Sequence, residues 1–369
     1  MIKTLHRLVK DYRRNYRYHG GVSALARCLI GNWRLRGGWA PHPTAADSHV
    51  DCITCSVIPQ LTALWVAFVE RAINSGRPQV IIGDCSGGLG GRFPRSSSRV
   101  VLPLLNHEHG KKLDLLLRRV CRAEYVVVSD DDVFWLTEVP WQWALEQFRR
   151  SPKIAVVSLV PRDRISSVLQ GQVERPMGSS CLILRREIWL RERLSFEISY
   201  PSPDEGFDWY YDTADLANVE LLRRGYEVVT APAEIKAHLA VFEAISAWLL
   251  KVQLYSAQQF VDTVARIPLQ QEKAMGAILA AKGFAQLYRE QWPALGQLHL
   301  VAPELLDRVE AHLRPLLDPS RLAEIQARVD GNLDQIRCTL RSFGPPQELQ
   351  QTLDLSRPAR QRGCPRPYA

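Results

Sequence analysis

The chain has 369 residues, 46% of them hydrophobic and 23% charged, with eight cysteines and a formal net charge of +8. That balance predicts roughly two globular domains and excludes a mostly disordered chain, a collagen-like repeat and a disulfide scaffold. No apolar run reaches the roughly 18–20 residues that cross a bilayer, and Arg27 interrupts the stretch 22–30, so neither a membrane span nor a cleaved signal peptide is expected. The sequence reads as that of a cytoplasmic protein.

The charge is unevenly placed. Residues 1–38 hold nine basic side chains against Asp11 alone, and four arginines follow Leu355, which leaves the body between them mildly acidic at −4. Such asymmetry suggests that an end of the chain, rather than its body, meets an anionic surface.

In chain order, Leu5, Leu8, Val9, Tyr12 and Tyr16 recur at helical spacing among basic residues, predicting an amphipathic helix over 1–20. It is followed by a linker at Gly37, Gly38, Pro41 and Pro43, so that 1–43 forms a basic arm. From residue 44 short β-branched runs alternate with helical stretches. Strands are predicted at 52–58, 80–82, 100–102, 125–129, 154–159 and 227–230. The predicted helices lie at 61–74, 111–121 and 143–150, and one more opens at Asp212–Asp215 and stops at Gly225. This alternation predicts an α/β domain over 44–242 with a mostly parallel sheet, whose ligands gather at the carboxyl ends of the strands. Beyond it, 242–267, 269–291, 303–317 and 322–342 read as helices, giving a helical C-terminal region over 243–342. Residues 343–369, rich in Pro, Gln and Arg, read as a loose tail. Cys52 and Cys55 form the one C-x-x-C pair. They fall on a strand, where residues three apart face opposite ways, so buried reduced thiols are expected rather than a metal site.

Several constellations can carry chemistry. Val126–Val127–Val128–Ser129 runs straight into Asp130, Asp131 and Asp132. Three carboxylates on a strand rim repel one another by several kcal/mol (~4 per pair at 4 Å and an effective dielectric of 20) unless compensated, which suits a hard divalent cation bearing phosphate. The alternative is a solvated acidic turn. Val80–Ile81–Ile82–Gly83–Asp84 ends in Cys85–Ser86–Gly87–Gly88, a loop lacking the lysine of a phosphate-binding P-loop. Asp84 there is either a base or ribose contact or a plain loop aspartate. Asp212 and Asp215 stand on the first turn of a helix, as caps or as a general base. His238 is a lone candidate ligand, and His107–Glu108–His109 is a weaker histidine cluster.

Taken in order, these segments resemble the family 2 glycosyltransferases over residues 49–242. The resemblance implies a GT-A fold and single-sugar, inverting transfer from a nucleotide-diphosphate sugar, a UDP-sugar foremost, to a glycan, lipid-linked or other hydroxyl acceptor in cell-surface glycan or glycoconjugate synthesis. It implies nucleotide-sugar contacts at Pro59, Asp84, Ser86, Lys111, Asp130 and Asp131. A Mn²⁺ or Mg²⁺ ion would sit at Asp130, Asp132 and His238, and the catalytic base would be Asp212 or, second, Asp215. The Q-x-x-R-W of processive synthases is absent, since Gln286–Leu287–Tyr288–Arg289 continues with Glu290. The acid that ordinarily precedes Asp212 is replaced by Tyr211, which keeps an inactive GT-A-like scaffold as the alternative. A sugar nucleotidyltransferase would place a basic Gly-rich loop where Pro59–Gln60–Leu61–Thr62 stands. A nucleic-acid binder is suggested only by Tyr12, Tyr16 and Tyr18 in the basic arm, and no nucleic-acid partner is expected. Contact of 1–38 with an anionic membrane is expected to be peripheral.

Overall fold

A computed structural model describes residues 22–39, 49–89, 98–162, 169, 171–174, 176–199, 211–295 and 298–343. The predicted helix over 1–20, Pro41 and Pro43 of the linker, and the tail after 343 lie outside the described residues.

Seven strands form the main sheet: β1 (Val50–Ser56), β2 (Gln79–Asp84), β3 (Arg99–Pro103), β4 (Tyr125–Ser129), β6 (Ile154–Ser158), β7 (Cys181–Arg185) and β8 (Glu227–Thr230). Their spatial order is β3-β2-β1-β4-β7-β6-β8. Every pairing is parallel except the two made by β7, which runs antiparallel to both β4 and β6. A separate antiparallel ribbon joins β5 (Val133–Trp135) to β9 (Leu239–Val241). The expected α/β architecture is therefore present: a mostly parallel sheet, flanking helices and a helical C-terminal region.

Alternation along the strands explains the layering. On β1, Val50 and Cys52 face one hydrophobic core while Ile53 and Cys55 face the other; on β4, Val127 faces the first and Val126 and Val128 the second. Strands buried on both faces read as continuous apolar runs, which is what 126–128 shows. Cys52 and Cys55 do point to opposite sides. Among the described residues all cysteines are unpaired, and Cys338 is the exposed one. Burial pushes the Cys85 thiol above its ordinary range, as expected of structural cysteines.

The first core packs helices α2 (Pro59–Ala72) and α4 (Val139–Arg150) against the sheet together with the C-terminal helices. The second lies under α1 (Val22–Arg36), α3 (His109–Arg119), α5 (Arg186–Arg191) and α6 (Asp215–Arg223). A short α7 (Ala233–Lys236) precedes β9. The C-terminal region comprises α8 (Ile245–Leu254), α9 (Ala257–Val264), α10 (Pro268–Gln291), α11 (Pro303–Leu313) and α12 (Pro319–Phe343). The single helix expected over 242–267 is thus two. It breaks at Tyr255–Ser256, where the Ser256 side chain and Gln259 form a reciprocal capping box that starts α9.

The helical region shares one core with the sheet. Phe134 on β5 meets Phe68 of α2 edge-on at 5.5 Å and lies 6.0 Å from Phe242 and 5.6 Å from Phe284 of α10. Tyr288 then donates its hydroxyl to the Gln60 carbonyl at the start of α2 (3.0 Å).

Helix α1 sits so close to β3 that a Cβ on Gly31 would collide with the Pro103 carbonyl. Gly31→Ala is expected to lower stability by about 1–3 kcal/mol through overpacking against a backbone that cannot yield. Gly331→Ala in α12, where a Cβ meets nothing, should instead raise it by about 0.5–1 kcal/mol. Urea denaturation of both variants checks the pair.

Candidate active site

The chain order reverses across β1. From β1 it passes to β2 and β3 on one side, and then returns to β4 on the other. The crevice outside the carboxyl ends of β1 and β4 is therefore the topological switch point, where open α/β sheets bind ligands. Ser56 ends β1, and Ser129 followed by the three aspartates ends β4.

The structure splits the acidic triplet into one accessible carboxylate and two buried ones. Asp130 is 31% exposed and lies 3.4 Å from Nε2 of His109, the first residue of α3. Its backbone N–H donates to the Ser180 carbonyl just before β7 (2.8 Å), which fixes the chain at the crevice rim.

Asp131 is buried. Its Oδ2 accepts from Ser56 Oγ and, at 3.5 Å, from Thr62 Oγ1 of α2, while Oδ1 accepts from Ser246 Oγ of α8 at 3.0 Å. Burial pushes its pKa up to about 6; the Ser56 and Ser246 hydroxyls pull the other way, and the Asp130 charge adds to the rise. Asp132 is buried as well, and its Oδ2 accepts from the Ile245 N–H at 2.7 Å. That is a carboxylate at the N-terminus of α8, where the helix dipole favours negative charge. Burial, followed by repulsion from Asp130 and Asp131, nevertheless holds its proton affinity well above the usual carboxylate range.

The other predicted positions fall around this crevice unequally. Pro59 opens α2 directly after the β1 end. Asp84 is buried and engaged by its own loop: Oδ1 accepts from Ser86 N (3.0 Å), Ser86 Oγ (2.6 Å) and Gly87 N (2.9 Å), and Oδ2 from Leu89 N (2.9 Å). Gly87 takes φ +67° in that turn, a conformation open to glycine.

Lys111 pairs with Glu108 (3.2 Å) and Glu197 (3.4 Å). Residues two apart on a helix face different ways, so Lys111 points away from the side of α3 that carries His109. Lys112, three residues from His109, shares its face and is buried, with Nζ donating to Asn106 Oδ1 at 2.9 Å.

His238 sits at the far end of the β5–β9 ribbon. Its carbonyl accepts from Leu136 N and its Nδ1 meets Thr137 Oγ1 at 3.0 Å, whereas Asp132 lies opposite Phe242. Four strand residues separate the two levels, roughly 13 Å. Asp130, Asp132 and His238 are thus not assembled as a ligand set. Among the described residues no group of three or more His, Cys, Asp or Glu side chains is placed to hold a metal ion. The donor set that is present, one accessible carboxylate, fits a cation that arrives with its own phosphate and water ligands.

No family model matches the chain, and no curated protein matches it. Among solved structures, the mannosyltransferase PcManGT from Pyrobaculum calidifontis, in complex with GDP-Man and Mn2+, is similar over 91% of this chain and 100% of its own, with 14% sequence identity and a TM-score of 0.35. Overlap this loose does not bear on activity.

Two strands along the same sheet edge, roughly 10 Å from β4, lies a second acidic group. Arg162, just past the end of β6, bridges Asp215 at 3.1 Å and Asp212 at 3.5 Å and donates to the Thr213 carbonyl at 2.9 Å. Asp215 is buried beneath it, and burial raises its pKa to about 6 against the pull of Arg162. Asp212 is 46% exposed. Ala214 holds φ +71° between them, a strained turn that presents Asp212 outward while its N–H donates to Asp215 (3.0 Å). Sequence reasoning did not single out Ser56, Thr62, Ser246 or Arg162. Their contribution is a partner 50 to 115 residues away, which no local pattern reveals.

The pH dependence of stability has a definite sign. An aspartate whose pKa rises from 3.8 to about 6 on folding favours the native state below pH 4, and that contribution is lost as pH rises through 6. For Asp131 the difference is roughly 3 kcal/mol. Wild type should therefore gain stability relative to Asp131→Asn as pH falls from 7.5 to 4. Urea denaturation of both proteins at pH 4, 5.5 and 7.5 measures the gap; a constant gap would mean that the carboxyl titrates normally.

Proposed function

We propose that the chain is a glycosyltransferase that moves one sugar from a nucleotide-diphosphate donor to an acceptor hydroxyl, metal-assisted, inverting and non-processive. The observation that carries the reading is the position of Asp130, the one accessible carboxylate of the triplet, at the β1–β4 switch point. The N-termini of α2 and α3 open onto the same edge, and helix N-termini favour phosphate. Asp130 would hold the Mn²⁺ or Mg²⁺ ion that accompanies the diphosphate, and such an ion neutralises a departing diphosphate.

The protein's own groups would do the rest. His109 would orient Asp130, and the β1 end with Pro59 would wall the nucleotide. Asp212 would take the proton of the acceptor hydroxyl as it attacks the anomeric carbon, with Asp215 and Arg162 fixing its position. A single displacement of this kind inverts the anomeric configuration. A UDP-sugar is the first donor to try. Asp84, occupied by its own loop, would shape the pocket rather than touch the base, and Ser86 would brace that loop. A catalytically silent GT-A-like scaffold is the second reading, favoured by the burial of Asp131 and Asp132.

Isothermal calorimetry with a panel of nucleoside diphosphates, with and without Mn²⁺, separates the two. The enzyme reading expects one nucleoside diphosphate to bind more tightly with Mn²⁺ and to lose at least tenfold in affinity in Asp130→Ala. In a transfer assay Asp212→Asn should keep donor affinity and lose about 10²–10⁴ in kcat, the range for removing a general base. Donor binding without turnover in wild type would select the scaffold, and no binding at all would end both nucleotide readings.

A further inference from the structure

Helix α1 carries two apolar stripes. Ala24, Leu25, Cys28 and Leu35 are buried against the body. On the opposite side Val22, Ala26, Leu29, Ile30 and Trp33 follow the i, i+4, i+7, i+8, i+11 spacing of a single helix face. Of these, Val22, Leu29, Ile30 and Trp33 are exposed, Trp33 at 74%, and Trp39 just beyond the helix is 63% exposed. Half of the large exposed hydrophobic side chains among the described residues gather in this one place. An apolar patch so concentrated marks an interaction site.

The charges at the rim of the stripe are all basic. Arg27 and Arg34 flank it on one side and Arg36 on the other, and the helix contains no acid. The Arg34 guanidinium lies over the Trp39 ring at 5.2 Å. The 21 residues before the helix add six basic side chains against Asp11. Aromatic and aliphatic side chains ringed by arginine suit the headgroup boundary of an anionic bilayer, where the apolar face inserts and the cations meet lipid phosphate. No described helix is long and apolar enough to cross a membrane.

The helix is also placed to matter. Arg27 donates to the Gly87 carbonyl at 2.9 Å, Cys28 to the Asp84 carbonyl at 3.7 Å, and Arg36 approaches His107 at 3.5 Å. All three contacts lie just beyond the carboxyl ends of β2 and β3, the edge that holds the crevice.

We propose that the outer face of α1 docks this protein on an anionic lipid surface, with Trp33, Trp39, Leu29 and Ile30 inserted and Arg34 and Arg36 on lipid phosphate. The docking stands apart from the sugar-transfer reading. Joined to it, docking holds the crevice beside a membrane-borne acceptor.

Co-sedimentation of the full chain with vesicles tests the surface without any activity readout. Binding to phosphatidylcholine vesicles containing 30% phosphatidylglycerol, and little to pure phosphatidylcholine, is expected, weakening with added salt. Trp33→Ser/Trp39→Ser should reduce partitioning at least tenfold, and so should Arg34→Glu/Arg36→Glu. Both variants alter exposed side chains and leave the buried face of α1 untouched, so far-UV circular dichroism should match wild type. Undiminished pelleting of either variant, or no preference for anionic vesicles, overturns the proposal. So does a dimer in lipid-free sedimentation velocity that Trp33→Ser/Trp39→Ser abolishes, which would assign the face to a second copy of the chain.

Discussion

Two buried carboxylates beside the N-terminus of α8 hold this structure together. Asp132 receives the Ile245 N–H, and Asp131 ties Ser56 and Thr62 to Ser246. Through these bonds the end of β1, the start of α2, the end of β4 and the first helix of the C-terminal region share one polar knot. Removing a partner from such a knot leaves a buried charge unsatisfied, which is far more damaging than losing an exposed ion pair. The aromatic cluster of Phe68, Phe134, Phe242 and Phe284 adjoins it, with the Phe242 N–H donating to the Asp132 carbonyl.

That knot also explains why the crevice presents a single carboxylate. Three charged aspartates in succession repel, and here the strain is relieved by separating their roles. Two are withdrawn into the protein, where hydroxyls, a helix N-terminus and a raised proton affinity offset their burial. Asp130 remains at the surface beside His109. The second acidic group repeats the division on a smaller scale: Asp215 is buried under Arg162, and Asp212 stays accessible.

How much of this was legible beforehand depended on how local the signal was. The run 126–128 ending in acids, the strand–helix alternation and the opposite facing of Cys52 and Cys55 follow from period and composition, and the structure has them. The three-residue strands β5 and β9 are too short for any period, and they are what moves His238 away from the aspartates. That Lys112 is buried while Lys111 turns to Glu108 and Glu197 follows from the helical register counted from His109, a signal that was present and unused. So was Ser256–x–x–Gln259, which marks the break before α9. The burial of Asp131 and Asp132 was invisible because their partners come 115 and 113 residues later. Helix α1 escaped notice because its two apolar stripes blur the one-sided pattern that identifies a surface helix.

The shared core has a consequence for how the protein comes into being. Chains emerge from the ribosome amino end first and fold as units when their contacts become available. The crevice strands β1 and β4 are made early, yet a hydroxyl and an N–H that donate to the acids after β4 belong to Ser246 and Ile245, and Gln60 waits for Tyr288, 228 residues downstream. Until those residues are synthesised Asp132 lacks its N–H donor, Asp131 has only the Ser56 and Thr62 hydroxyls, and the aromatic face stays open. The crevice is therefore completed late in assembly, and the carboxyl-terminal helices act as its built-in folding partner.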